Sequence, residues 1–432
     1  MDMKTLSELL KELKTLPLGN IYKKNIGGKD YYYHQYFLDG KRIIHIVAKD
    51  QIDSLKCQIE RRIEIENEIK QINLKDINLS KNSNELTGYV MSGNTVAAKF
   101  EKGVLVSINE KLAPLIIKRT HSLEKFLMLR TLDMSRTNAR ILKKVLNIDV
   151  DEDYKVSLYS YALSISDNYW FKPKHSKLKY MDVNFDNDAL FETSLKGEVN
   201  VFFNKAKLSP EITTTGSFEK GWRFIDHEWW LYKQGNEKQI FSELFSSNFA
   251  ELIGVNTVKY EYDGGYIKSK NFSPNHNFEP IAALADDDDS YDNIFGILVI
   301  INKELAIDYL KLIFFDTVVN NIDRHNENLG LLRDSKDGRI VSLAPNFDNN
   351  LSLIATTETL NSDVKKDGFI KLFIAFLVKN GAAKSLFKCI KFKDIELKDI
   401  EEIIDKIPIK IKDSKQLAET VLKRYNFLKG FI

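Results

Sequence analysis

Apolar residues recur at helical spacing from Thr5 to Leu16, and Pro17 stops the pattern. The spacing then shortens. Gly19 to Lys24, Tyr31 to Leu38 and Arg42 to Val47 read as strands, with turns at Gly27-Gly28 and Asp39-Gly40. Asp-Gly between two apolar runs is a strong hairpin signal. A charged helix of mixed sign follows, about Gln51 to Gln71. Residues 1–80 are thus expected to form a small αββα accessory module. Ser80 to Asn84, rich in Ser, Asn and Lys, reads as a linker.

Residues 81–205 read as an accessory region preceding a second fold. Short strands are expected near Val90 to Val106, and helices near Ser122 to Leu132 and Arg136 to Leu146. The aromatic-rich stretch Tyr159 to Phe171 is expected to pack against the next domain. From Ile212 the pattern changes. Residues 212–234 read as a glycine turn between strands, Lys238 to Ile253 as a helix, and Val255 to Tyr262 and Gly265 to Phe272 as strands. The rest is mostly helical, apart from a turn-rich stretch at Asp323 to Leu353. This order predicts an α+β fold of two lobes, residues 206–275 strand-rich and residues 276–432 helical.

Charge changes this picture little. The 63 Lys and Arg nearly balance 61 Asp and Glu, so no global basic field points to nucleic acid, and direct nucleic-acid binding is left open. Cys57 and Cys389 form no CxxC pair, which argues against a zinc site or a disulfide framework. Met1 to Leu18 lacks the apolar core of a signal peptide, and the apolar run Ile294 to Ile301 is too short to span a bilayer. The expectation is a cytoplasmic protein with no membrane partner. The acid run Asp286 to Asp289 reads as a solvated loop, because consecutive acids cannot converge on one ion.

The chemistry concentrates after an apolar helix, Leu305 to Val319, in Asn321-Ile322-Asp323-Arg324-His325-Asn326-Glu327-Asn328. Phosphoryl transfer needs a carboxylate to take the acceptor's proton and oxygen ligands to hold Mg²⁺ on the phosphates. Asp323 and Asn328, five positions apart, suit those two roles. A hairpin, Leu329 to Leu332 and Ile340 to Leu343, would return Asp348 beside Asn328 as a second metal ligand. His325 would shape this loop or face the phosphates. Taken singly, Asp323 and Asn328 could be turn residues and Asp348 a helix cap.

Upstream, Thr213-Thr214-Thr215-Gly216-Ser217-Phe218-Glu219-Lys220 is a hydroxyl-rich glycine turn. Its amides could form an anion nest around Thr215, Gly216 and Ser217, with Lys220 beside it. Lys233 ends the aromatic strand Glu228 to Lys233, and Glu243 follows ten residues later on a helix. A lysine there could reach ATP phosphates and be held by the glutamate.

With these motifs in hand, residues 120–432 resemble the HipA-like serine/threonine kinases. The phosphate loop is matched by Thr215 to Lys220, the ATP lysine and its partner by Lys233 and Glu243, and the strand before the adenine hinge by Ser269 to Phe272. Asp323 to Asn328 matches the catalytic loop and Asp348 the second metal ligand. Leu127 to Leu142 and Ser166 to Trp170 match an accessory region found in one branch of the family. The resemblance implies a bilobal protein-kinase-like fold, ATP and Mg²⁺ as cofactors, and a protein substrate. In some members that substrate is a translation component, an aminoacyl-tRNA synthetase. It also implies a toxin or regulatory kinase with a DNA-binding antitoxin as partner, and autophosphorylation on the loop around Thr213 to Ser217. Two departures stand out. Asn349-Asn350, not Phe-Gly, follows Asp348, and residues 1–80 do not match the usual N-terminus. A non-catalytic ATP-binding module and a lipid or small-molecule kinase remain as alternative readings.

Overall fold

A computed structural model describes residues 6–38, 41–76, 86–146, 153–198, 208–216, 218–356 and 360–431. The expected turn at Asp39-Gly40, the linker Ser80 to Asn84, and Ser217 lie outside the described residues. The chain divides into two compact units, Met1–Leu231 and Tyr232–Ile432. The division falls inside the strand Glu228–Lys233.

The first unit opens with helix α1 (Leu6–Thr15), strands β1 (Asn20–Ile26), β2 (Lys29–Leu38) and β3 (Lys41–Val47), and the long helix α2 (Ile52–Asp76). The module is therefore αβββα, which corrects the αββα expectation. Every one of its three apolar runs is a full strand, and together they form one antiparallel sheet with β2 in the centre. Leu9, Leu13 and Ile65 close the core between the two helices. Arg62 ties the end of α1 to α2 by donating to the carbonyls of Leu13 and Leu16 at 2.8 and 2.7 Å.

A four-stranded antiparallel sheet follows, made by Gly88–Ser92, Thr95–Glu101, Val104–Ile108 and Tyr169–Pro173. From the aromatic stretch Tyr159 to Phe171, Tyr159 packs on a cluster that includes Ile212. Trp170 is fully buried, donates to the Gly93 carbonyl at 2.7 Å, and meets Tyr161 edge-on. Its indole N–H is satisfied locally, so the ring is buried without an unmet donor.

In the second unit, helix Glu237–Leu252 starts at a capping box, in which Asn236 and Gln239 satisfy each other's backbone N–H. A hairpin of Tyr260–Asp263 and Tyr266–Lys270 comes next. A three-stranded antiparallel sheet then joins His276–Pro280, Gly330–Asp334 and Ile340–Leu343. The expected hairpin after the catalytic loop is thus present. The remaining core is helical. Phe314 sits among Phe373, Phe387, Phe392 and Tyr425, with ring centroids 4.1–6.4 Å from its own. That aromatic cluster anchors helix Lys303–Val319, whose C-terminus delivers the polar loop described next. Among the described residues no helix is long and apolar enough to cross a membrane.

Candidate active site

Helix Lys303–Val319 ends at Asn320, whose left-handed backbone (φ 51°) turns the chain sharply into the polar loop. Asn321 is buried. Its amide donates to Asp316 Oδ1 and Asn349 Oδ1, and its own oxygen receives the N–H of Asp323 at 3.2 Å. The Asp323 side chain is half-buried. Its carbonyl accepts from His325 N–H at 2.9 Å and from Asn328 Nδ2 at 3.0 Å. The same Asp–Asn spacing therefore closes the loop on itself. His325 is exposed, and its Nδ1 receives the Glu327 N–H at 3.2 Å.

Arg324 is the hub, and the sequence reading passed over it. Its guanidinium grips both oxygens of Asp316 at 2.9 Å. It also donates to Asn346 Oδ1, Asn349 Oδ1 and the carbonyls of Asn328 and Phe347. One nitrogen, Nη1, holds the last two at 2.8 and 2.7 Å. This clamps the backbone at Asn328 to that just before Asp348. Burial alone would lower the guanidinium's pKa; the carboxylates of Asp316, Asp348 and Glu243 together outweigh that and raise it. Removing Arg324 would leave Asp316 buried without its cation. Arg324→Ala is expected to destabilise the protein by about 3–5 kcal/mol, measured by denaturant unfolding; a loss within experimental error would show that the clamp is dispensable.

Asp348 has a left-handed backbone, φ 60°, uncommon outside glycine. Its N–H donates to the Tyr260 hydroxyl at 3.3 Å, and its Oδ1 lies 2.8 Å from Lys233 Nζ. Lys233, the last residue of its strand, is buried. It lies 3.7 Å from Glu243 Oε2 and donates to the Tyr260 hydroxyl at 3.4 Å, with its ammonium 5.3 Å from that ring's centre. Glu243 is fully buried, and its other oxygen receives the Asn349 N–H at 2.9 Å. Burial would lower the Lys233 pKa, but Asp348 and Glu243 together hold it well above the ordinary range, so the lysine is charged. Burial raises Glu243 and Tyr260 as well.

The structure thus brings Lys233, Glu243 and Asp348 into one cluster, with Tyr260 beneath the ammonium, and ties Asn328 to the same segment through Arg324. Tyr260 gave no sequence signal. It alternates with Glu261 and Tyr262 in a strand where any tyrosine is unremarkable.

Asn328 Nδ2 is committed to the Asp323 carbonyl, which leaves the amide oxygen as the atom that could meet a metal. With the Asp348 carboxylate it would offer two hard oxygen ligands. Among the described residues no three His, Cys, Asp or Glu gather as a metal site. Two protein oxygens nevertheless suit Mg²⁺, which takes its remaining ligands from nucleotide phosphates and water. The residues present fit that ion.

The glycine turn lies in the first unit. Contrary to the expected strand–turn–strand, a 3-10 helix, Pro210–Thr213, precedes it. Ser209 caps this helix and Pro210 opens it, a helix start by composition. Gly216 has φ 90°, and a Cβ there would lie 2.4 Å from Lys220 Nζ. Lys220 opens the strand Lys220–Ile225 and is buried with its ammonium against the turn. Thr213 and Thr214 donate their hydroxyls to the Pro210 carbonyl. Thr215 is half-buried. Arg136, also unassigned by the sequence reading, fastens both ends of the turn. It donates to the carbonyls of Thr214 at 3.4 Å and Lys220 at 2.7 Å, and to Ser194 Oγ at 2.7 Å. Nearby, burial pushes the Glu211 carboxyl up to about 7.

No family model and no curated protein sequence matches the chain. Among solved structures it is similar to the Helicobacter pylori proinflammatory kinase CtkA, with 17% identity over 49% of this chain and 94% of that one, at a TM-score of 0.38. It is also similar to HipA of Shewanella oneidensis MR-1, solved as a toxin–antitoxin complex with HipB and operator DNA. There the identity is 12%, the match covers 80% of this chain and 98% of that one, and the TM-score is 0.50. At such identity the likeness is one of architecture, and this chain is an α+β protein that shares the fold of the HipA toxin kinase.

Proposed function

We propose that the chain is an ATP- and Mg²⁺-dependent serine/threonine protein kinase of HipA-like type. The observation that carries the reading is the cluster of Lys233, Glu243 and Asp348 joined through Arg324 to the loop of Asp323 and Asn328. Residues 206–275 and 276–432 serve as the two lobes, preceded by the accessory region 81–205 and the module 1–80.

In this reading Asp323 orients an acceptor hydroxyl and takes its proton. Asn328 and Asp348 would hold Mg²⁺, which neutralises phosphate charge when bound. Lys233 neutralises the nucleotide phosphates, and Glu243 keeps its ammonium in place. His325 holds the loop through Glu327, and the turn of Thr215, Gly216, Ser217 and Lys220 presents backbone amides of the kind that bind phosphate. Transfer forms an O–P bond to the acceptor and breaks the bond to ADP. The protein acceptor would be a translation component, and an antitoxin protein would restrain the kinase in the cytoplasm.

Incubation with Mg²⁺ and γ-labelled ATP, followed by mass spectrometry of the labelled products, tests this. Label is expected on Ser or Thr of protein, including the chain's own peptide spanning residues 207–220. A phosphate there adds nearly two negative charges beside Lys220. In the present structure the Thr213 and Thr214 hydroxyls are engaged with Pro210, so their modification requires the turn to open. Transfer to lipid alone would replace the acceptor class. An active enzyme left unmodified on that peptide would remove self-phosphorylation.

A further inference from the structure

The N-terminal sheet has two unlike faces. Tyr32 and Val47 stand opposite each other in register, on the side where Lys56 of α2 reaches the Tyr32 ring. The alternate positions form the outer face. Its rows run Asn20–Gln35–Ile44, Tyr22–Tyr33–Ile46 and Lys24–Tyr31, with Lys29 one step beyond. In the first row Gln35 is buried, while Ile44 at its edge is 42% exposed. The other rows are open: Ile46 is 68% exposed, Tyr31 is 37% exposed, and Lys24 and Lys29 are exposed.

Three properties coincide on this face. Tyr22 and Tyr33 on adjacent strands stack, with centroids 5.4 Å apart and planes within 17°. Tyr31 lies two residues along the central strand from Tyr33, about 6.8 Å by strand rise. No Asp or Glu occupies any position of the face, whereas the Lys23–Asp30 ion pair sits on the opposite side. Rings on neighbouring strands of an open sheet, flanked by lysines without acids, match a polyanion whose bases are free to stack. A duplex hides its base faces, and an acidic peptide would have no use for a stacked tyrosine pair with a third tyrosine beside it.

We propose that this face binds single-stranded nucleic acid, with bases stacking on Tyr22, Tyr31 and Tyr33 and phosphates meeting Lys24 and Lys29. Ile44 and Ile46 lie beside the rings as apolar contacts for sugar and base edges. The proposal stands independently of the phosphotransferase reading, because none of these residues belongs to the candidate active site.

Fluorescence anisotropy of the full chain with labelled oligothymidylate, oligouridylate and a duplex is the test. Both single strands should bind more tightly than the duplex, and binding should weaken from about 50 to 200 mM salt. A preference for RNA or for DNA identifies the sugar and supports the proposal either way. Tyr31→Ala and Tyr33→Ala should each weaken binding by roughly tenfold, while Tyr33→Phe, which keeps the ring, should bind as wild type. The exposed pair Lys24→Glu with Lys29→Glu should weaken binding and flatten its salt dependence without moving the melting temperature. Asp323→Asn should bind normally. The proposal is overturned if single strands do not bind, if the tyrosine and lysine variants bind as wild type, if the duplex binds better, or if polyglutamate displaces the oligonucleotide equally well.

Discussion

Asp323→Asn is expected to cut phosphoryl transfer by roughly 10²-fold or more, the scale of a lost general base, while nucleotide affinity stays near wild type. The substitution keeps the side chain's size. The contacts that build the loop run through the Asp323 backbone, whose N–H meets Asn321 and whose carbonyl meets Asn328 and His325. An amide side chain leaves those backbone bonds in place, so they should hold the loop's shape while the proton acceptor is lost. Single-turnover transfer measured alongside nucleotide titration separates the two quantities. Turnover within a few-fold of wild type would take the base role away from Asp323. A joint fall in affinity and turnover would instead mean that the carboxylate supports binding.

That prediction could be framed from sequence because the loop is local. An Asp and an Asn five positions apart, after an apolar helix and before a hairpin, are all within one short stretch. Lys233 at a strand end and Glu243 on the next helix were legible for the same reason. What joins them was not. Lys233 and Asp348 are 115 residues apart and meet only through the fold. Arg324 lay inside the motif, yet an arginine among Asp, Asn and His reads as solvated until its six acceptors are seen around it. Arg136 and Tyr260 were hidden in the same way, each an ordinary residue of its element whose role comes from distant partners. Two misreadings have local causes. Ser209-Pro210 is a helix start, so the segment before Gly216 is a 3-10 turn and not a strand. In the N-terminal module all three apolar runs, Arg42 to Val47 included, are strands, so αββα counted one strand too few.

Asp348 carries the second large effect, on the metal dependence of nucleotide binding. ATP with Mg²⁺ should stabilise the wild type by about 2.7 kcal/mol at a hundredfold excess over its dissociation constant. That corresponds to a melting shift of roughly 5–10 °C for a unit of this size. ATP without Mg²⁺ should give little of it, since the phosphates would then approach the Asp348 carboxylate unneutralised. Asp348→Ala should abolish the Mg²⁺-dependent part. Alanine is also strained at φ 60°, so this variant should melt lower even without nucleotide. Asp348→Asn separates the two effects. Asparagine tolerates the left-handed region and keeps the backbone N–H on Tyr260, but it brings no charge to the metal or to Lys233. Its nucleotide-free melting should therefore lie nearer wild type than that of the alanine variant, while its Mg²⁺-dependent shift should be largely lost. An Asn variant that keeps the full shift would show that the carboxylate serves Lys233 alone, and the metal would have to be held elsewhere.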